Sequence, residues 1–203
     1  MKNHYSQFFQ DIFALNTAKH NTYIEIGAWH PLKYNNTYIL EQQGWKGFSI
    51  ELDKTSKEDL WVNALERKNE IYWANALTFD YKKALEENNL STHVGYLSCD
   101  IEPPANTFSA LQKVIEQGIS FDCITFEHDK YQSDIDYDPI VTDFLKKHGY
   151  KVAVKDVYRT RKIRVPNQKK KEVRKCYLET WFVNNSIDFA TLTYEMWLQT
   201  IKV

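Results

Sequence analysis

Short apolar runs recur along the chain, separated by segments in which apolar positions fall every three or four residues, and this alternation predicts a parallel sheet with crossover helices. The predicted strands are Tyr23–Gly27, Phe48–Glu51, Ile71–Trp73, Val94–Cys99 and Phe121–Glu127. Helices are predicted near Thr37–Gln43, Lys57–Arg67, Tyr81–Asn88 and Thr107–Gln117, the last placing Phe108, Leu111 and Ile115 on one face. A further helix, Ile140–His148, stops at Gly149, a residue suited to the left-handed position that closes a helix. Beyond it the pattern changes. Tyr150–Val157 and Tyr177–Asn184 read as two strands joined by a charged segment rather than a helix, so an antiparallel pair is expected to complete the sheet. Helices around Ser6–Leu15 and Phe189–Thr200 would pack outside, and with no repeat or low-complexity linker the whole of residues 1–203 is read as one domain.

Composition changes this picture little and charge changes it more. With 203 residues, 43% of them hydrophobic, the chain can close a core without disulfides or metal staples. Cys99, Cys123 and Cys176 are odd in number and widely spaced, which suits reduced thiols. No stretch approaches the ~20 apolar residues of a bilayer span, and the opening MKNHYSQFFQDIFALN lacks a signal-peptide core, so a cytoplasmic protein without membrane association is expected. The net charge of −1 conceals an asymmetry: Lys155 to Lys175 holds ten basic and two acidic residues, leaving the rest of the chain at −9.

In a β-α-β unit, ligands settle at the carboxyl ends of the strands. Gly27 falls where the first strand would end, Asn35 or Asn36 can cap the following helix, and Gly44-Trp45-Lys46-Gly47 turns the chain into a second strand that ends at Glu51. A carboxylate so placed can accept both hydroxyl hydrogens of a ribose. A dinucleotide would also need close backbone approach for its pyrophosphate, yet Trp29-His30-Pro31 stands where glycines would be. A nicotinamide-dependent oxidoreductase is therefore the weaker reading. S-adenosylmethionine carries the ribose and adenine without phosphate, and Glu25 suits its ammonium and sulfonium. Taken alone, Gly27-Ala28 also fits a plain strand-to-loop turn.

The run EIGAWHPLKYNNTYILEQQGWKGFSIELD resembles the opening of the FkbM-type S-adenosylmethionine-dependent methyltransferases. SQFFQD, NALTFDY, YLSCDIEPPANTFSAL, ITFEHDKY, HGYKV and ETWFV follow the family's pattern in the same order, across roughly residues 6 to 184. The resemblance implies a Rossmann-like class I methyltransferase fold, with a seven-stranded, mostly parallel sheet, a C-terminal antiparallel pair and helices on both faces. It implies cofactor contacts from Glu25, Gly27, Ala28, Glu51, Asn75 and Ala76, with Asn75 standing where relatives commonly have Asp. The activity implied is O-methylation of a small molecule, sugar or nucleotide-sugar.

The fourth and fifth predicted strands both end in acids, Asp100-Ile101-Glu102 and Glu127-His128-Asp129. Two routes to an activated acceptor hydroxyl follow. Asp100, Glu127, His128 and Glu102 could ligate Mg²⁺ or another hard divalent cation, lowering the hydroxyl pKa; or His128 could act directly as general base. For His128, a hydrogen bond to a backbone carbonyl is the structural alternative. The basic segment RTRKIRVPNQKKKEVRK, Arg159 to Lys175, can meet an anionic acceptor or nucleic acid, or can serve as a solvated hairpin that deters edge pairing. With only Tyr158 and Tyr177 flanking it, base stacking is poorly provided for, and an anionic small molecule or carbohydrate is the preferred partner.

Overall fold

Along Tyr23-Ile24-Glu25-Ile26, successive side chains leave on opposite faces, as in any extended strand, and all four are buried. A strand covered on both sides belongs in the middle of a sheet. It forms β1 (Thr22–Ile26) of the computed structural model, which describes residues 4–164 and 171–201. The other strands are β2 (Lys46–Glu51), β3 (Glu70–Trp73), β4 (His93–Cys99), β5 (Ser120–Glu127), β6 (Tyr150–Arg164), β7 (Lys171–Asn184) and β8 (Leu192–Thr193). They make one sheet in the order β3-β2-β1-β4-β5-β7-β6-β8, with β7 antiparallel to both β5 and β6 and the other pairings parallel.

The sheet is thus of the predicted Rossmann-like type, with eight strands where seven were expected. The addition, β8, lies inside the predicted helix Phe189–Thr200 and pairs with Val154 and Lys155 of β6. Thr193 ends this bridge and caps α7 (Tyr194–Thr200), its side chain accepting from the amide of Met196, so the helix cannot begin earlier.

The remaining helices are α1 (Gln10–Thr17), α2 (Tyr38–Gln42), α3 (Lys54–Val62), α4 (Tyr81–Glu87), α5 (Pro104–Glu116) and α6 (Tyr137–Lys147). α4, α5 and α6 cover the sheet face that carries Ile24, Leu97, Ile124 and Phe182. α1, α7 and Leu40 of α2 cover the opposite face, which carries Tyr23, Tyr96, Cys123 and Trp181. The period-2 alternation within each strand thereby feeds two separate cores. α3 stops five residues short of the predicted Arg67. The three cysteines are buried free thiols. Among the described residues, no helix is long and apolar enough to cross a membrane.

β6 and β7 outrun the sheet as a two-stranded ribbon, in continuous register from Tyr158↔Tyr177 to Arg164↔Lys171. The basic segment, read from the sequence as a hairpin insertion of about 158–176, has paired strands as its flanks; its residues 165–170 lie outside the described residues.

Candidate active site

The tips of β1, β2, β3, β4 and β5 share one edge of the sheet, and a cavity of about 520 Å³ opens there, within the range that holds a nucleoside-sized ligand. Its floor depends on Gly27. That residue sits at φ +87, and a Cβ there would lie 1.7 Å from the carbonyl oxygen of Asp100. The amides of Gly27 and Ala28 both donate to the Ile50 carbonyl, at 3.0 and 3.2 Å, which pins the end of β1 against β2.

Glu51 reaches the cavity from the end of β2. Its Oε2 accepts from the amide of Trp29 at 2.8 Å and its Oε1 from the amide of Asp53 at 2.9 Å. Each carboxylate oxygen keeps a second lone pair, so two ribose hydroxyls can still be received. The loop that lacks glycines is folded around itself: Trp29 lies at φ 43 with its amide on Glu51, and the amides of Leu32 and Lys33 donate to His30 Nδ1 at 3.0 and 3.1 Å. The amides of Ala28, Trp29, Leu32 and Lys33 are thus already engaged, which leaves the loop fewer donors for a pyrophosphate. Across the cavity, Asn75 accepts from the amide of Leu77 at 2.9 Å, leaving Nδ2 as a donor, and Ala76 packs beside it with its carbonyl held by the hydroxyl of Tyr81 at 2.9 Å.

Of the six residues expected to meet a cofactor, Gly27, Glu51, Asn75 and Ala76 line this cavity, whereas Ala28 and Glu25 do not. Glu25 is only 2% exposed. Its oxygens are taken by Ser49 Oγ at 2.8 Å, Thr37 Oγ1 at 2.9 Å, Asn35 Nδ2 at 3.2 Å and the amide of Asn36 at 3.2 Å. Arg67, which the sequence placed at a helix end, is buried beside it, ion-paired to Glu41 at 2.8 Å and donating to Asn35 Oδ1 and to the carbonyl of Pro31. Burial raises the Glu25 pKa and the Arg67 charge opposes that. This network fixes the loop under the cavity from behind, which is a positioning role and a correction to the direct contact expected of Glu25. Nothing in the local pattern distinguishes Arg67 from the solvated lysines and arginines around it.

Asp100 and Glu127, from the tips of β4 and β5, meet in the cavity and hydrogen-bond one another. Burial, then the neighbouring Asp100 charge, pushes Glu127 above the usual carboxyl range, and burial raises the Asp100 pKa also, so the pair favours sharing a proton over two bare charges.

Glu102 also lines this cavity, exposed at its rim, whereas the fourth expected member stands apart. His128 is 2% exposed and outside this cavity; its Nε2 lies 3.4 Å from Thr180 Oγ1, its Nδ1 accepts from the amide of Lys130 at 3.3 Å, and burial lowers its pKa. The carbonyl contact weighed for this ring is instead made by the backbone amide of His128, which donates to Leu178 at 2.7 Å. Asp100, Glu127, His128 and Glu102 do not bring three ligand atoms together, so as placed they do not fit the proposed divalent-ion site. Among the described residues, His20, His93 and Asp122 alone do so, at the far end of the sheet.

Behind the pair, Glu179 sits opposite Glu127 in the antiparallel register, accepting from Gln10 Nε2 and Trp181 Nε1, each at 2.6 Å. Burial pushes its pKa up to about 8. A carboxyl group whose folded pKa is raised stabilises fully below its unfolded pKa and loses that contribution as pH climbs through the folded value. The melting temperature is therefore expected to fall between about pH 4.5 and pH 8. Thermal denaturation across that interval checks it, and a rising melting temperature would contradict the assignment.

No protein-family model and no curated protein sequence matches the chain. Solved structures match its fold. A Streptococcus pneumoniae protein described as a tRNA methyltransferase, solved with S-adenosyl-L-methionine, aligns over 91% of this chain and 76% of its own at TM-score 0.53 and 10% identity. The precorrin-6y C5,15-methyltransferase of Geobacter metallireducens aligns over 86% of each chain at TM-score 0.53 and 14% identity. A Streptococcus agalactiae protein of the NAD-binding Rossmann superfamily aligns over 100% of this chain and 80% of its own at TM-score 0.54 and 13% identity. The fold is that of the Rossmann-like methyltransferases. At such identities the likeness is one of architecture.

Proposed function

We propose that the protein is an S-adenosylmethionine-dependent O-methyltransferase of the FkbM type. The observation that carries this is Glu51: a cavity-lining carboxylate at the end of β2, with lone pairs free for a ribose, facing a loop whose engaged amides leave fewer donors for phosphate. The ordered FkbM-like motifs and the Rossmann-like architecture support the same reading. When bound, the cofactor supplies an electrophilic methyl group on a sulfonium.

The chain's own residues do the rest. Glu51 would accept the ribose hydroxyls, Asn75 and Ala76 would flank the adenine, and Gly27 lets the tips of β1 and β4 pack closely beneath them. Asp100, its pKa raised by burial beside Glu127, would take the proton of an acceptor hydroxyl placed in the cavity. The acceptor class preferred is a small molecule or carbohydrate bearing a hydroxyl, with an anionic group.

Replacing Glu51 with alanine removes two hydrogen bonds to a charged group, worth about 1.5–3 kcal/mol each, so S-adenosylhomocysteine should bind at least about 100-fold more weakly. Isothermal titration of both proteins checks this. Equal affinity would rule out the ribose contact.

The ribbon favours a second reading, methylation of nucleic acid. Arg159 and Arg161 stack on Tyr131, in the loop following β5, at 5.2 and 4.9 Å from the ring centre, so this basic ribbon rises from the same sheet edge as the cavity. RNA binding that collapses between low and moderate salt would select that acceptor.

A further inference from the structure

The opposite edge of the sheet carries a second cluster. His20 lies in the turn before β1, His93 opens β4, and Asp122 is the third residue of β5, so three segments far apart in sequence converge where the parallel strands begin. His20 Nδ1 is 2.9 Å from Asp122 Oδ2, and His93 Nε2 is 3.0 Å from Asp122 Oδ1. The two imidazole rings stand edge to face with centroids 4.7 Å apart. All three ligand atoms fall within 4.8 Å of one another.

The cluster is held in place by backbone. The amides of Lys19 and His20 donate to Asp122 Oδ2 at 2.7 and 2.8 Å. The His20 carbonyl presses on Gly95 of β4, where an added Cβ would lie 1.8 Å from it. Asp122 is 3% exposed at its side chain, while His20 and His93 are 54% and 37% exposed, so an ion can reach the nitrogens from solvent. His93 Nδ1 lies 2.7 Å from Ser120 Oγ. A hydroxyl there can accept the Nδ1 proton and so present Nε2 as a lone pair, the outer-sphere support that metal-bound histidines usually have.

We propose that His20, His93 and Asp122 form a zinc site with a fourth position left to water. Two imidazoles and a carboxylate are a donor set suited to zinc rather than to magnesium or calcium. Ligand atoms around a tetrahedral zinc, with bonds of about 2.0–2.2 Å, stand roughly 3.3 Å apart, only a few tenths of an ångström beyond the present nitrogen–oxygen separations. The ion would tie the turn before β1 to β4 and β5, a structural clasp independent of the cavity at the other edge. Because it does not rest on methyl transfer, it stands or falls separately.

Chelator-stripped full-length protein titrated calorimetrically with Zn²⁺ should bind one ion per chain, and the melting temperature should rise with saturation. His20→Ala/His93→Ala should weaken that binding at least 100-fold, whereas His30→Ala and His148→Ala should leave it unchanged. Should the double variant fail to fold, His20→Ala alone serves, the side chain being largely solvent-facing, with a tenfold loss expected. Binding by the double variant equal to that of the original chain, loss in the His30 or His148 variants instead, or less than one ion per chain, would overturn the site.

Discussion

Asp100→Asn should slow methyl transfer by about 10²–10⁴-fold, the usual contribution of a positioned general base, while S-adenosylhomocysteine binding stays within a few-fold of the original chain. The reasoning is geometric first. Asp100 ends β4, its amide donating to the carbonyl of Ile26 at 3.0 Å, and its side chain meets Glu127 in the cavity. Asparagine is of the same size and keeps a side-chain oxygen beside Glu127, so the cavity wall is little changed while the base is lost. The split between rate and affinity is the diagnostic feature. Equal losses in both would mean that Asp100 holds the ligand and the proton goes elsewhere. His128→Ala should leave the rate far closer to normal, since that ring faces Thr180 away from the cavity.

Gly27→Ala is expected to have the largest effect on stability. Two costs coincide at this residue. The left-handed backbone at φ +87 penalises any Cβ by about 1–2 kcal/mol, and the new carbon would overlap the Asp100 carbonyl, which is main chain and cannot rotate aside. Separating β1 from β4 to relieve that overlap also strains the amide bonds from Gly27 and Ala28 to Ile50. The total should reach about 4 kcal/mol or more, which in a chain of this length lowers the melting temperature by roughly 8–16 °C. Thermal unfolding measures it directly. A shift below about 3 °C would mean that the turn is looser than the close contact implies.

The parts of this molecule that were legible in the sequence are those set by period and by single-residue sterics. The mostly apolar run at Tyr23–Ile26 marks the first strand, and Gly27 with Glu51 marks the turn and the carboxylate that ends the second strand. What could not be read depends on partners distant in sequence. Glu25 was taken for a ligand contact because it lies next to the glycine turn, but its period-2 direction points it into the core, where Arg67 and Asn35 await it. The acids after β4 and β5 were correctly placed at strand tips, yet which side chains converge was open: Glu127, the last strand residue, turns inward to Asp100, whereas the backbone of His128 bonds to Leu178 and carries its ring elsewhere. The basic segment was legible as a hairpin, but how far its strands run, to Arg164 and from Lys171, is set by cross-strand pairing. The His20, His93 and Asp122 grouping had no local signal at all, since its members are brought together only by the strand order β1-β4-β5.

The most direct measurement is a calorimetric titration of the unmodified protein with S-adenosylhomocysteine and, separately, with NAD⁺. One molecule of S-adenosylhomocysteine bound per chain, with no heat from NAD⁺, is the expected result. Binding of NAD⁺, or silence toward S-adenosylhomocysteine, would contradict a phosphate-free nucleoside site at Glu51.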